Sequence, residues 1–109
     1  MIPEKIDLGS IVYLVELVDK LLDSDGGTKL SGQISANRAV IRVEAGNHPQ
    51  MQVLTIIHEM VHHILRTCGQ EHAIDPERIE DVIEALAGGL LHALRNNADL
   101  LKAVEELDE

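Results

Sequence analysis

Two hydrophobic rhythms divide this chain near its middle. Up to about residue 48 the apolar positions follow a strand-like pattern, and beyond it they recur at helical spacing. Ile11 to Val18 is β-branched and apolar with Glu16 as its one charge. Strand is the preferred reading there, although periodicity alone also permits a short helix running into Leu21-Leu22. Asp23-Ser24-Asp25-Gly26-Gly27 follows as a loop. Leu30 to Val43 reads as a hairpin turning at Ala36-Asn37-Arg38, where Asn37 tolerates a left-handed backbone. Ala39, Ile41 and Val43 alternate with Val40, Arg42 and Glu44, so one face of the second strand can be buried.

Gly46-Asn47-His48-Pro49 closes the strand region, and Asn47 or His48 before Pro49 suits a helix start. The spacing predicts a first helix from about Pro49 to Thr67, stopping near Gly69. Met51, Leu54, His58, Val61, His62 and Leu65 fall in its apolar stripe. A second helix is expected after Asp75-Pro76, with Asp75 as cap and Pro76 at the first helical position. Ile79, Val82, Ile83, Leu86, Ala87, Leu90, Leu91 and Leu94 make its broad apolar face. Asn96-Asn97 interrupts it, and Leu100 to Leu107 forms a last acidic helix. The expected architecture is α+β: a small antiparallel sheet, made of the N-terminal strand plus the hairpin, packed against two long helices. All of residues 1–109 fit one small domain.

Composition narrows the core and the partners. Tyr13 is the only aromatic residue, so Leu, Ile, Val and Ala must fill the interior, and bound metal would add its binding energy to a modest stability. The 19 acidic residues outnumber the 9 basic ones for a net charge of −10, which repels phosphate backbones and argues against nucleic acid as a partner. No apolar run approaches the length of a membrane span, and Met1-Ile2-Pro3-Glu4-Lys5 lacks the design of a signal peptide. Cys68 stands alone, so no internal disulfide forms and a reducing cytoplasm is the expected location.

The six histidines carry the candidate chemistry. His58 and His62 are four residues apart, so on a helix their rings project from one side, a turn apart. Two neutral imidazoles in that relation suit one zinc ion. Glu59 lies about 100° around the helix from His58, beside the site rather than aimed at the ion. From there it would act as general base on a water held by the metal. His63 falls on the expected outer face and reads as a surface histidine. His72 and His92 read as bystanders.

Zinc then needs a third protein ligand. Leu65 and Cys68 occupy the positions where a metzincin helix would continue to a Gly and a His, so that arrangement fails. Cys68 reads better as a small buried residue than as a ligand. On the second helix Glu80 borders the apolar face and is the preferred ligand, with Glu84 in reserve, while Glu77 and Asp81 point to solvent.

Thr55-Ile56-Ile57-His58-Glu59-Met60-Val61-His62-His63-Ile64-Leu65 resembles the zinc helix of the ImmA/IrrE-type metallopeptidases, in particular the short members found in bacteriophages and mobile elements. Leu30-Ser31-Gly32-Gln33-Ile34-Ser35 followed by Ile41-Arg42-Val43 resembles the hairpin before that helix. Glu80 to Leu90 resembles the helix that brings the third ligand. The resemblance spans roughly residues 28 to 100. It implies one zinc per chain on His58, His62 and a second-helix Glu, with Glu59 as base, and a protein or peptide substrate such as a regulatory protein.

The competing class is a non-catalytic, zinc-stabilised regulatory protein. Closure of the site by Cys68 or Glu84 as a fourth ligand would favour it. For the oxyanion, Tyr13 and His72 are the candidates, with nothing to separate them. The free edge of the hairpin would align an extended peptide by strand addition. Nothing in the sequence sets the oligomeric state.

Overall fold

Four strands and three helices make up the computed structural model, which describes residues 2–107 and is α+β as expected. β1 (Lys5–Asp7), β2 (Val12–Val18), β3 (Gly32–Ser35) and β4 (Val40–Glu44) form one sheet in the order β1-β2-β4-β3. The sheet is mixed rather than purely antiparallel. β1 pairs antiparallel with β2 and β3 with β4, but β2 and β4 run parallel, with Val15 opposite Ile41. The long connection through Leu21–Leu30 carries the chain past β2 to the outer strand β3. The hairpin turn then returns it beside β2 in the same direction, a topology that hydrophobic alternation cannot report.

Within the hairpin the turn occupies residues 36–39, and the left-handed residue is Ala39 (φ 52°) rather than Asn37. Ala39 therefore leaves the alternating strand, while Ile41 and Val43 keep their inward places with no exposed surface.

α1 (Pro49–Thr67) starts where Pro49 supplies the first-turn residue and His48 Nδ1 accepts a hydrogen bond from Gln50 N at 3.1 Å. It ends at Gly69, whose φ of 70° needs no Cβ, with Gln70 N reaching back to Leu65 O at 3.0 Å in a Schellman closure. After a single 3₁₀ turn at Glu71–Ala73, α2 (Ile79–Asn96) begins three residues later than Pro76 suggests. Asp75 Oδ1 accepts from Glu77 N at 3.0 Å, so Asp75 caps the preceding turn and Arg78 takes the cap position of the helix. α3 (Ala98–Glu105) follows Asn97 and buries none of its residues.

The helices and sheet stack in three layers, with α1 in the middle. On one side Ile56 packs with Tyr13, Ile41 and Val43 of the sheet, and Met60 joins them. On the other, Ile57 and Val61 meet Ile83 and Ala87 of α2, flanked by Leu54 and Leu65. A helix buried on two sides has no single polar face. This is why His63, read as an outer-surface residue, is instead buried, with its Nδ1 2.9 Å from the Tyr13 hydroxyl.

Candidate metal centre

The site lies where the second layer meets the third, at the edge of the sheet. His58 and His62 project from the α2 side of α1, one turn apart, with ring centroids separated by 5.0 Å. The first turns of α2 bring Glu80 across from them. Its two oxygens face the two Nε2 atoms: Oε2 is 3.2 Å from His58 and Oε1 is 2.9 Å from His62. Among the described residues these three side chains form a cluster whose donor atoms all lie within 4.8 Å of one another. Ligands held tetrahedrally at zinc distances of about 2.0–2.2 Å stand roughly 3.3–3.6 Å apart, so small shifts of these side chains would admit such an ion. Two imidazoles and one carboxylate are also a donor set of the kind catalytic zinc takes.

His58 has a carboxylate oxygen at each nitrogen, Glu80 at Nε2 and Glu84 Oε2 at 3.0 Å from Nδ1. A neutral imidazole carries one N–H and donates to one of these oxygens, whereas an imidazolium donates to both. Burial pushes the pKa of His62 down, against the opposing charge of Glu80, which keeps its ring in the neutral form that metal ligation requires. Its Nδ1 is buried without a partner, leaving Nε2 as the nitrogen aimed at Glu80.

Glu59 turns the other way, towards the outer strand. It is 7% exposed, and burial pushes its carboxyl up to about 7; the charge of Glu80 adds to the rise, while His58 and Arg66 oppose it. The strand comes this close because residue 32 is glycine. A Cβ there would run into Thr55 Cγ2, and would sit 3.3 Å from Arg42 O and 3.5 Å from Glu59 Oε2. Sequence reasoning placed Gly32 in the hairpin without seeing this role, since close approach between strand and helix leaves no periodic trace.

A cleft of about 500 Å³ opens over these groups. Lys29 to Ile34 form one wall, Met51, Leu54, Thr55 and Arg66 of α1 line the floor beside His58, Glu59 and His62, and Glu80 and Glu84 close the third side. The other residues considered from sequence lie elsewhere. Cys68 is exposed at the end of α1, and is neither buried nor part of the cluster. Tyr13 is committed to His63 in the sheet-side core, and His72 lines a separate cavity with Pro76 and Ile79. Glu84, the reserve ligand, lies outside the cluster and meets His58 at Nδ1, 3.0 Å away, instead.

Comparison with protein-family models, with curated proteins and with solved structures finds no match to this chain. Among the described residues no helix is long and apolar enough to cross a membrane.

Proposed function

We propose that this chain is a zinc-dependent metallopeptidase that hydrolyses peptide bonds in a protein or peptide substrate. The observation that carries the proposal is the convergence of His58, His62 and Glu80 at a cleft whose floor contains the buried carboxylate of Glu59. Those three residues would hold one zinc ion, which when bound would polarise the scissile carbonyl and acidify an attacking water. Glu59 receives the proton of the attacking water and delivers it to the leaving amine. Burial suits the carboxyl to both duties by drawing it towards neutrality. β3 is the outer strand of the sheet and borders the cleft, so an extended substrate segment can add to its free edge by main-chain hydrogen bonds. Leu30, Ile34 and Leu54 give that segment apolar surface to lie against. The likeness of the His58–His62 helix to ImmA/IrrE-type enzymes supports the same activity and suggests a regulatory protein as substrate.

The alternative, a zinc-stabilised regulatory protein without catalysis, calls for a site closed by four protein ligands. The cluster offers three, and Glu84 meets His58 at Nδ1 rather than on the Nε2 side where the donors converge.

Elemental analysis of the purified protein is expected to find about one zinc per chain, as a single three-ligand site requires. Glu59→Gln should retain that metal and lose cleavage of an unfolded protein substrate. A fully folded protein with no metal and no affinity for it defeats the zinc assignment. Zinc without cleavage in the wild type selects the regulatory alternative, and undiminished cleavage by Glu59→Gln removes Glu59 from the mechanism.

A further inference from the structure

Leu54, His58, His62 and Arg66 stand four residues apart on α1, and all four line the cleft. The two histidines are thus the middle of a row with an apolar end and a cationic end. At about 1.5 Å of rise per residue, Leu54 and Arg66 each lie about 9 Å along the axis from the midpoint of the histidines, and about 18 Å from one another. β3 runs in the same sense as α1. Ala45, just past the end of β4, meets Gln52 early in α1, whereas Tyr13, beside the start of β4, meets His63 near the end of the helix. β4 is therefore antiparallel to α1, and β3, antiparallel to β4, runs with the helix. Leu30, before β3, accordingly joins Leu54 and the 44% exposed Met51 at the apolar end, and the strand points towards Arg66.

We propose that the cleft selects extended peptide segments carrying an apolar side chain and a carboxylate about six positions apart, with Arg66 taking the carboxylate. The inference rests on the reading of this cleft as the peptide site of a hydrolase. An extended chain advances about 3.3 Å per residue, so about 18 Å is between five and six positions. Both side chains must face α1, and alternate ones do, which leaves six, or three to each side of the metal. Arg66 is half exposed, and among the described residues it is engaged only at Nε, 3.1 Å from Glu71 Oε2. Its fork of N–H groups retains donors for a second carboxylate. Glu71 does not line the cleft, and the guanidinium acts on His62 more strongly than Glu71 does. Glu59, Glu80 and Glu84 line the middle of the cleft and repel a carboxylate there. Lys29, the other cation bordering it, belongs to the Leu30 end, and its charge acts on Glu44. The net charge of −10 opposes an acidic segment only weakly at physiological salt, where charges are screened over about 8 Å.

Fluorescein-labelled ten-residue peptides of Ser, Thr and Ala, with Leu and Glu six positions apart in either order, test this against counterparts with Gln in place of Glu. Binding is read by fluorescence anisotropy on the zinc-supplemented Glu59→Gln protein, so it does not depend on turnover. In one of the two orders the Glu peptide is expected to bind about tenfold more tightly than the Gln peptide, less so at high salt. Adding Arg66→Gln should abolish that difference and leave the affinity for the Gln peptide in place. The exposed pair with Glu71 contributes little to the fold, so this variant stays folded. Equal binding of Glu and Gln peptides in both orders, no binding of either, or a preference that survives Arg66→Gln overturns the proposal. Cleavage of the same peptides by the wild type separates the two readings. Equal kcat/KM for Glu and Gln peptides overturns the selection and leaves the hydrolase standing. Arg66-dependent binding without cleavage upholds the selection and defeats the hydrolase.

Discussion

Glu84 Oε2 lies 3.0 Å from His58 Nδ1, on the edge of the imidazole opposite the nitrogen that Glu80 approaches at 3.2 Å. A carboxylate in this position fixes the ring's orientation and sets which nitrogen carries the proton, leaving Nε2 free to donate its lone pair. It is a positioning contact, and its loss should weaken the site without dismantling it.

Glu84→Gln is accordingly expected to lower zinc affinity by about tenfold, the low end for such outer partners because Glu84 is largely exposed. Glu80→Gln should cost far more, since it removes one of three donors. Competition with a chromogenic chelator ranks the two. If Glu84→Gln proves the more damaging, the ligand and the positioning residue must exchange roles.

Gly32→Ala probes the approach of the outer strand to α1. The new methyl meets Thr55 Cγ2, so β3 must withdraw from Glu59 or the helix must shift. We expect a destabilisation of about 1–3 kcal/mol in urea denaturation, the usual range for overpacking. Thr55→Ser deletes the opposing methyl and keeps the hydroxyl that bonds Met51 O at 2.8 Å. Combined with Gly32→Ala it should recover at least about 0.5 kcal/mol relative to additivity. Strict additivity would mean the two positions do not touch.

How much of this was visible beforehand depends on the kind of interaction. The hairpin, the span of α1 and its stop at Gly69 follow from alternation, Pro49 and a terminal glycine, all local signals. The four-residue step of His58 and His62, and the place of Glu80 at the border of an apolar face, likewise point to residues the fold brings together. Parallel pairing of β2 with β4 is a long-range choice that leaves no mark on either strand's pattern. The short strand β1 is too brief for a period, and its pairing with β2 depends on a partner seven residues downstream, as in Ile6 opposite Tyr13. A single apolar stripe puts His63 on the outside, but α1 has two buried sides and His63 lies on the second.

Glu44 makes the stability of the sheet-to-helix corner depend on pH. Its Oε2 accepts from Gly46 N at 2.8 Å and its Oε1 from Leu21 N at 2.7 Å, and these bonds hold its carboxyl below the ordinary 4.5. A depressed folded value means the contribution is complete above pH 4.5 and is lost as pH falls through the folded value. Glu44→Gln retains one acceptor oxygen of the two. Its melting temperature should fall below that of the wild type at neutral pH, and the gap should close in acid, where the wild-type side chain is itself protonated. A gap that widens below pH 4.5 would reverse the sign and exclude the assignment.

The Tyr13–His63 pair tests whether the sheet-side core depends on its one polar contact. The hydroxyl is 2.9 Å from His63 Nδ1 inside a cluster otherwise built of aliphatic side chains, and Ser10 Oγ stands 3.5 Å from the other ring nitrogen. Tyr13→Phe removes one oxygen, leaves the ring packing intact and strands a buried imidazole nitrogen, which should cost about 1–3 kcal/mol. His63→Leu strands the hydroxyl instead and should cost a similar amount. With both changes neither polar atom remains to be satisfied, so the double variant should be less destabilised than the two single effects added together. Urea unfolding of the four proteins measures the coupling directly. Because both residues lie on the sheet side of α1, away from His58 and His62, zinc stoichiometry should be the same in all four. A loss of metal on Tyr13→Phe would tie this pair to the metal centre through α1 and refute their separation.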